Sequence, residues 1–178
     1  VDHITEDLAR VIKEAGCKLI LFGVESASQK ILDSIQKGTT VAKIKEAIKI
    51  CKENDIMSFC SFIIGTPDET LETIEETRRF VLDLDPDFAI FTIFTPLPGS
   101  KYFDEFISKG KINLKELDWD KYINLLSNNP PAMPVIFKFT DKELIRWQKK
   151  LFRDFYFRPK YILKRIKMIK NTQKQMLL

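Results

Sequence analysis

Three segments end in residues able to meet a small molecule: Phe22-Gly23-Val24-Glu25-Ser26, Phe62-Ile63-Ile64-Gly65-Thr66-Pro67 and Phe91-Thr92-Ile93-Phe94-Thr95-Pro96-Leu97-Pro98-Gly99. Each is an apolar run that gives way to small, polar or Pro residues where a strand should pass into a loop. Parallel α/β folds assemble their ligand sites at that end of their strands. Three such ends in succession describe one face built to hold a ligand. Glu25 stands out among them, because a carboxylate between an apolar strand and a small-residue loop costs energy unless it is solvated or paired. The plain alternative is an exposed loop acid.

Other chemistry is sparse. Cys17, Cys51 and Cys60 are too widely spaced for a CxxC or CxxxCxxC metal motif, and their odd number argues against a disulfide framework. They read as reduced thiols, Cys17 at a helix end, Cys51 on an apolar helix stripe and Cys60 within a strand, where free Cys acts as a small buried hydrophobe. The single histidine, His3, reads as a surface residue, which leaves no His-based catalytic machinery.

The elements that must position the three strand ends follow from periodicity and caps. Thr5 caps a first helix with Glu6 and Asp7 in its first turn, an expected buried stripe of Leu8, Val11, Ile12 and Ala15, and Gly16 at its end. Leu19 to Val24 is a nearly continuous apolar run, which predicts a parallel strand covered on both faces. Ser28 starts a short helix through Ile31, Leu32 and Ile35, and Thr40 a longer one with Val41, Ile44, Ile48 and Cys51 on one face. Met57 to Ile64 is the second strand. Thr66-Pro67-Asp68-Glu69 matches a capping box with Pro at the first helical position, so the next helix is expected to start there, its free N–H groups at the ligand face. Asp85-Pro86-Asp87 ends that helix before a third strand, Phe88 to Phe94. With right-handed crossovers this order makes a segment of parallel sheet or barrel.

The run Phe22-Gly23-Val24-Glu25-Ser26-Ala27-Ser28-Gln29-Lys30-Ile31-Leu32, then Lys37-Gly38-Thr39-Thr40, then Phe62 to Thr70, then Thr95-Pro96-Leu97-Pro98-Gly99-Ser100 resembles the second half of a radical S-adenosylmethionine (radical SAM) enzyme core over about residues 4–105. Within that superfamily it is most similar to the branch whose members often carry an N-terminal cobalamin-binding domain, including anaerobic cyclases and methyltransferases. The resemblance implies an α/β fold: a partial TIM-type barrel to which this chain contributes the last three of six parallel strands, followed by a helical C-terminal extension. It implies S-adenosylmethionine, a 4Fe-4S cluster and, in some members, cobalamin as cofactors of the parent enzyme. Family members hold the cluster on a CxxxCxxC loop after the first strand, a motif this sequence does not contain. The chain is therefore read as a piece of a longer polypeptide, inactive alone, whose partners are the N-terminal half, a small-molecule or lipid substrate and an electron donor.

By the same resemblance, part of the S-adenosylmethionine cradle is present. Glu25 and Ser26 match positions that face the ribose or the methionine end, where a carboxylate and a hydroxyl accept and donate the required hydrogen bonds. Ile63 and Gly65 match an adenine-contacting segment, with Thr66 beside it; the alternative is a core Ile and a turn Gly. Phe94, Thr95 and Pro96 match a stretch whose backbone meets the adenine edge. No residue of this chain is assigned a catalytic or metal-binding role. Relatives usually have Gly where this chain has Ala27 and Asp68.

Three regions are expected: the half-barrel over 1–110, an irregular segment over the barrel mouth at 111–139, and a basic helical extension at 140–178. Thr140-Asp141-Lys142-Glu143 repeats the capping-box pattern and opens a helix striped with Leu144, Trp147, Leu151 and Phe155. From Lys142 onward twelve Lys and Arg face two acids, so the chain's net charge of +4 conceals a basic end and an acidic remainder. The basic helix, with Ile162, Ile166 and Ile169 on one side, reads either as a solvated face on a helix packed against its own protein or as a surface for an anionic membrane over 160–178. No zinc spacing or RNA-binding signature points to nucleic acid. With no secretory leader and no apolar stretch of about 20 residues, a cytosolic protein is expected. A non-catalytic interaction module working through its basic tail is the second functional reading.

Overall fold

The computed structural model describes residues 3–117, Trp119 and residues 138–176. Most of the segment expected over the barrel mouth lies outside the described residues. Three parallel strands, β1 (Leu19–Glu25), β2 (Met57–Ile64) and β3 (Phe88–Ile93), lie side by side in chain order. Between them run α1 (Glu6–Glu14) before the sheet, α2 (Gln29–Ser34) and α3 (Val41–Glu53) between β1 and β2, and α4 (Leu71–Leu84) between β2 and β3. After β3 come α5 (Lys101–Ser108), α6 (Asp141–Tyr156) and α7 (Pro159–Met176). Threonines cap four of these helices: the hydroxyls of Thr5, Thr40, Thr70 and Thr140 accept from the N–H groups of Leu8, Lys43, Thr73 and Glu143.

The strands alternate. Phe22, Val24, Cys60, Phe62, Ile64, Ala89 and Phe91 are buried against the helices, together with Ile44, Ile48, Ile74, Val81, Leu151 and Phe155. Cross-strand partners in register stack on both faces, Phe62 on Phe91 at 5.4 Å and Phe59 on Phe88 at 6.1 Å between ring centroids. The expectation that β1 is covered on both faces is corrected here: on the face opposite the helical core Leu21 is 70% and Leu19 37% exposed. The stripe expected on α1 is corrected likewise. Ala9 is buried and Ile12 half-buried, whereas Val11 is 59% exposed and Leu8 and Ala15 also face outward. A continuous apolar run requires two covering layers, and the described residues supply one.

The two edges of the sheet are treated differently. At β3 the Tyr156 hydroxyl donates to the Ala89 C=O at 2.7 Å and accepts from the Ala89 N–H at 3.1 Å, and the Gln148 amide donates to the Phe91 C=O at 2.7 Å. Helix α6 thereby takes the place of a neighbouring strand. Beneath it, Tyr161 donates to the Asp87 C=O, and Asp85 and Asp87 are held by cations that follow α6: Arg158 on Asp85 at 2.9 Å, Lys160 on Asp85 at 3.1 Å and Lys164 on Asp87 at 2.9 Å. Asp87 in turn accepts from the Ser58 N–H at 3.0 Å, which ties the start of β2 to the start of β3. At β1 no described strand pairs with the outer edge.

Two outcomes follow. Tyr156→Phe removes both edge hydrogen bonds and is expected to lower the unfolding free energy by about 1–3 kcal/mol in a urea titration; an unchanged midpoint would show that the edge needs no seal. Residues 1–178 produced alone are expected to self-associate with concentration through the bare β1 edge. Leu21→Lys should reduce that association in sedimentation velocity, and a dilution-independent monomer would contradict it.

Candidate functional site

The C-terminal ends of the strands converge because the register makes them adjacent: Glu25 pairs with Phe62, Ile64 with Ile93, and the Phe94 N–H extends the ladder to the Ile64 C=O at 2.8 Å. β1 ends in an irregularity between Gly23 and Glu25, and Glu25 takes φ 66°, a left-handed conformation uncommon for a residue with a side chain. The kink brings the Glu25 carboxylate against the Lys37 ammonium at 2.8 Å, with the two side chains 17% and 31% exposed. Gly23 leaves the room for this pair, since a Cβ there would lie 2.6 Å from Glu25 Oε1 and 2.9 Å from Lys37 Nζ. Lys37 reaches back from the end of α2, where Gln36 and Gly38 both have positive φ.

Ser26 points elsewhere. Its side chain is 1% exposed, 3.4 Å from the Thr77 hydroxyl on α4, and accepts from the Ser28 N–H at 3.1 Å. Thr77 also accepts from the Ala27 N–H, so Ser26 and Ala27 are bound to α4. The left-handed residue of this loop is Glu25, and Ala27 does not have positive φ.

At the end of β2, Ile63 lies on the sheet face opposite the helical core, half-buried and opposite Thr92. Gly65 has φ 83°, and Leu144 of α6 occupies the space a Cβ would take, at 2.8 Å. Its missing side chain admits a neighbouring helix. The helix start expected at Thr66-Pro67 is corrected: α4 begins at Leu71 with Thr70 and Thr73 as the reciprocal cap, and residues 66–69 form a turn closed by the Glu69 N–H on the Thr66 C=O. Glu69, 1% exposed, turns back into this loop, accepting from the Gly65 N–H at 3.1 Å and the Thr73 hydroxyl at 2.6 Å, with Thr66 also against its carboxylate. Burial pushes the Glu69 carboxyl above the usual carboxylate range, against the pull of those hydrogen bonds.

At the end of β3, Phe94 meets the Tyr102 ring edge-on at 5.4 Å, Thr95 donates to the Ile93 C=O at 3.4 Å, and Pro96 is buried. Tyr102 donates to the Ser34 C=O at 3.3 Å, so α5 and α2 are tied across the rim. The structure therefore gathers Glu25, Ile63, Gly65, Thr66, Phe94, Thr95 and Pro96 at one end of the sheet and sets the Ser26 hydroxyl inward. Lys37, Gly23 and Glu69 complete that end; each stands in a motif read from the sequence, and none of those motifs shows that it belongs to the site.

The cysteines do not converge on this end. Cys51 is on α3 and Cys60 on the helical face of β2, and burial raises their thiols to about 11 and about 12. A cluster needs thiolates at close spacing, and among the described residues no group of His, Cys, Asp or Glu could hold a metal.

Comparison with known proteins decides the family. Residues 1–81 match the Radical SAM superfamily. Over 166 residues, 93% of the chain, the sequence is 38% identical to an uncharacterized methyltransferase of Pyrococcus horikoshii, of which it covers 35%. The chain belongs to the radical SAM superfamily. It is also 38% identical, over 66% of its length, to the anaerobic magnesium-protoporphyrin IX monomethyl ester cyclase of Cereibacter sphaeroides, covering 18% of that protein. The chain thus spans about a third of the first relative and less than a fifth of the second. The solved structure of Methanocaldococcus infernus Elp3 with an N-terminal deletion superposes with TM-score 0.56 over 84% of this chain and 40% of that one, at 15% identity. The architecture is accordingly α/β, a partial radical SAM barrel with a helical C-terminal part. The family implies S-adenosylmethionine and a 4Fe-4S cluster.

Glu69 gives this end a pH signature. Its folded-state pKa lies above the unfolded value, so its contribution to stability is full below about pH 4 and is lost as pH rises through the folded-state value. Glu69→Gln, which has no such proton, should gain stability relative to the native protein as pH rises through that window. Urea unfolding of both proteins across it gives the answer, and parallel pH profiles would refute the assignment.

Proposed function

We propose that the open end of this sheet is the S-adenosylmethionine cradle of a radical SAM enzyme and that this chain supplies part of it. The observation that carries the reading is the Glu25–Lys37 pair at the end of β1, held 2.8 Å apart over a glycine that leaves it room. A carboxylate is an acceptor for two vicinal hydroxyls, as a ribose offers, and an ammonium complements a carboxylate. Glu25 is fixed by the end of β1, and Lys37, in the loop after α2, is fixed by its ion pair with Glu25. Ile63 offers an apolar surface at the same end of the sheet, and the backbone from Phe94 to Pro96 offers a peptide edge for a purine.

The chemistry such a cofactor supplies when bound is a 5′-deoxyadenosyl radical, or a methyl group passed through cobalamin. The residues of this chain bind and orient: Glu25 fixes the sugar, Lys37 holds Glu25 and answers negative charge, and Glu69 keeps the Gly65 loop in its left-handed turn. The described cysteines do not fit the cluster, so this reading assigns the cluster ligands to the N-terminal half of the polypeptide and draws no step from this chain through them. Its similarity to an uncharacterized methyltransferase and to a magnesium-protoporphyrin IX monomethyl ester cyclase favours methyl transfer or cyclisation as the reaction of the whole enzyme.

The test uses the full-length polypeptide, reconstituted and handled without oxygen. Reduction in the presence of S-adenosylmethionine should yield 5′-deoxyadenosine or a methylated product together with S-adenosylhomocysteine. Glu25→Ala should weaken cofactor binding by about 10-fold to 100-fold in a calorimetric titration, the worth of hydrogen bonds to a charged group. Undiminished binding by that variant would overturn the placement of the cradle.

A further inference from the structure

Helix α7 has two faces with different employment. Tyr161, 7% exposed, and Arg165 face the sheet, where Tyr161 donates to the Asp87 C=O and the Arg165 guanidinium lies 4.3 Å from the Phe88 ring. The other face carries Ile162, Ile166 and Ile169 at i, i+4 and i+7 with Leu163 beside them, 43%, 44%, 59% and 58% exposed. The apolar stripe read from the sequence thus faces outward, and the packing of the helix uses its polar and aromatic residues instead. An aliphatic stripe of this kind is not what solvation selects.

Charge identifies what covers it. From Phe155 to Leu178 the chain carries seven Lys and Arg and no Asp or Glu. Asp85 and Asp87 engage four of those cations, Arg158, Lys160, Lys164 and Arg165. Lys160 stays 77% exposed despite its contact, and Lys167 is exposed next to Ile166. An Ile and Leu stripe bordered by lysines, on a helix without acids, has the composition of a helix lying in the headgroup layer of an anionic bilayer. No described helix is long and apolar enough to cross a membrane. Nucleic acid would call for aromatic platforms among the cations, and this face offers aliphatic side chains.

We infer that α7 is a peripheral docking helix for anionic lipid surfaces, seated on its protein through Tyr161, Lys164 and Arg165 and presenting Ile162, Leu163, Ile166 and Ile169 to the acyl boundary. The helix sits at the end of the sheet where the strands start, opposite Glu25. Lipid docking and cofactor binding are therefore separable.

The experiment is cosedimentation of the full-length protein with vesicles of phosphatidylcholine alone and with one-third phosphatidylglycerol. The protein should pellet with the anionic vesicles at least about 10-fold more than with the neutral ones, and high salt should release it. Lys167→Gln should lower partitioning by about fivefold, the worth of one cation near such a surface. Ile166→Gln combined with Ile169→Gln should abolish it, with the melting temperature and S-adenosylmethionine binding unchanged because neither residue is buried. Failure of the native protein to pellet, pelleting undiminished by the Ile double variant, or an Ile-dependent shift of RNA instead of lipid would each overturn the inference.

Discussion

A parallel sheet of three strands has two edges, and each edge strand carries a row of backbone N–H and C=O groups that must be satisfied. How each edge is handled governs much of the rest of this molecule. At β3 a helix replaces a strand, and it can do so only because Tyr156 and Gln148 project polar atoms where a neighbouring backbone would have placed them. A phenol oxygen both donates and accepts, so one Tyr answers both groups of Ala89. That solution fixes the position of α6, and α6 in turn fixes Leu144, Phe152 and Phe155 in the core. Among the described residues β1 has no such device, and Leu21 on that strand is exposed.

The ends of the sheet are polarised by a similar logic. Where the strands begin, Asp87 is 7% exposed, and an isolated buried carboxylate would cost several kcal/mol. It is answered by the Ser58 N–H, Lys164 and Arg165, while Asp85 is answered by Arg158 and Lys160. Much of the basic character of the C-terminal region is thus spent on two acids of the α4–β3 turn. Along the outside of α4, Arg78 bridges Glu75 and Asp154, and its hydrogen bonds hold the Glu75 carboxyl down at about 2. These pairs orient α6 and α7 on the sheet. Where the strands finish, an ion pair stands at the end of β1 and a buried acid, Glu69, after β2.

How much of this was legible depended on range. The strands, the Thr5, Thr40 and Thr140 caps and the order of elements are encoded locally, and the sequence displayed them. The sequence pattern places the start of α4 at Thr66, and the structure starts it four residues later, with Thr70 as the cap. The choice went to Thr70 because Glu69 satisfies the Gly65 N–H instead of the N–H of a helix beginning at Pro67, a preference set by burial that no local pattern records. The stripe on α1 is apolar but largely exposed, since periodicity reports which face wants cover and not whether cover is present. Lys37 carries no local signal of its role, because its partner Glu25 lies twelve residues away across a strand end.

The helix that seals the edge also bounds the site. Sixteen residues at about 1.5 Å per residue span about 24 Å, close to the length of strands of six to eight residues rising about 3.3 Å each. α6 therefore runs the full height of the sheet, meeting Gly65 through Leu144 near its start, Phe91 through Gln148 and Phe152, and Ala89 through Tyr156 at its last turn. The glycine expected to admit a cofactor admits this helix, and its φ of 83° leaves no strain-free way to fill the gap. A side chain at that position would push on Leu144 and, through one rigid helix, on the hydrogen bonds that close β3. The Gly65 loop and the seal at the sheet edge thus share a single mechanical element, so α6 acts as a wall of the sheet rather than as an appendage to it.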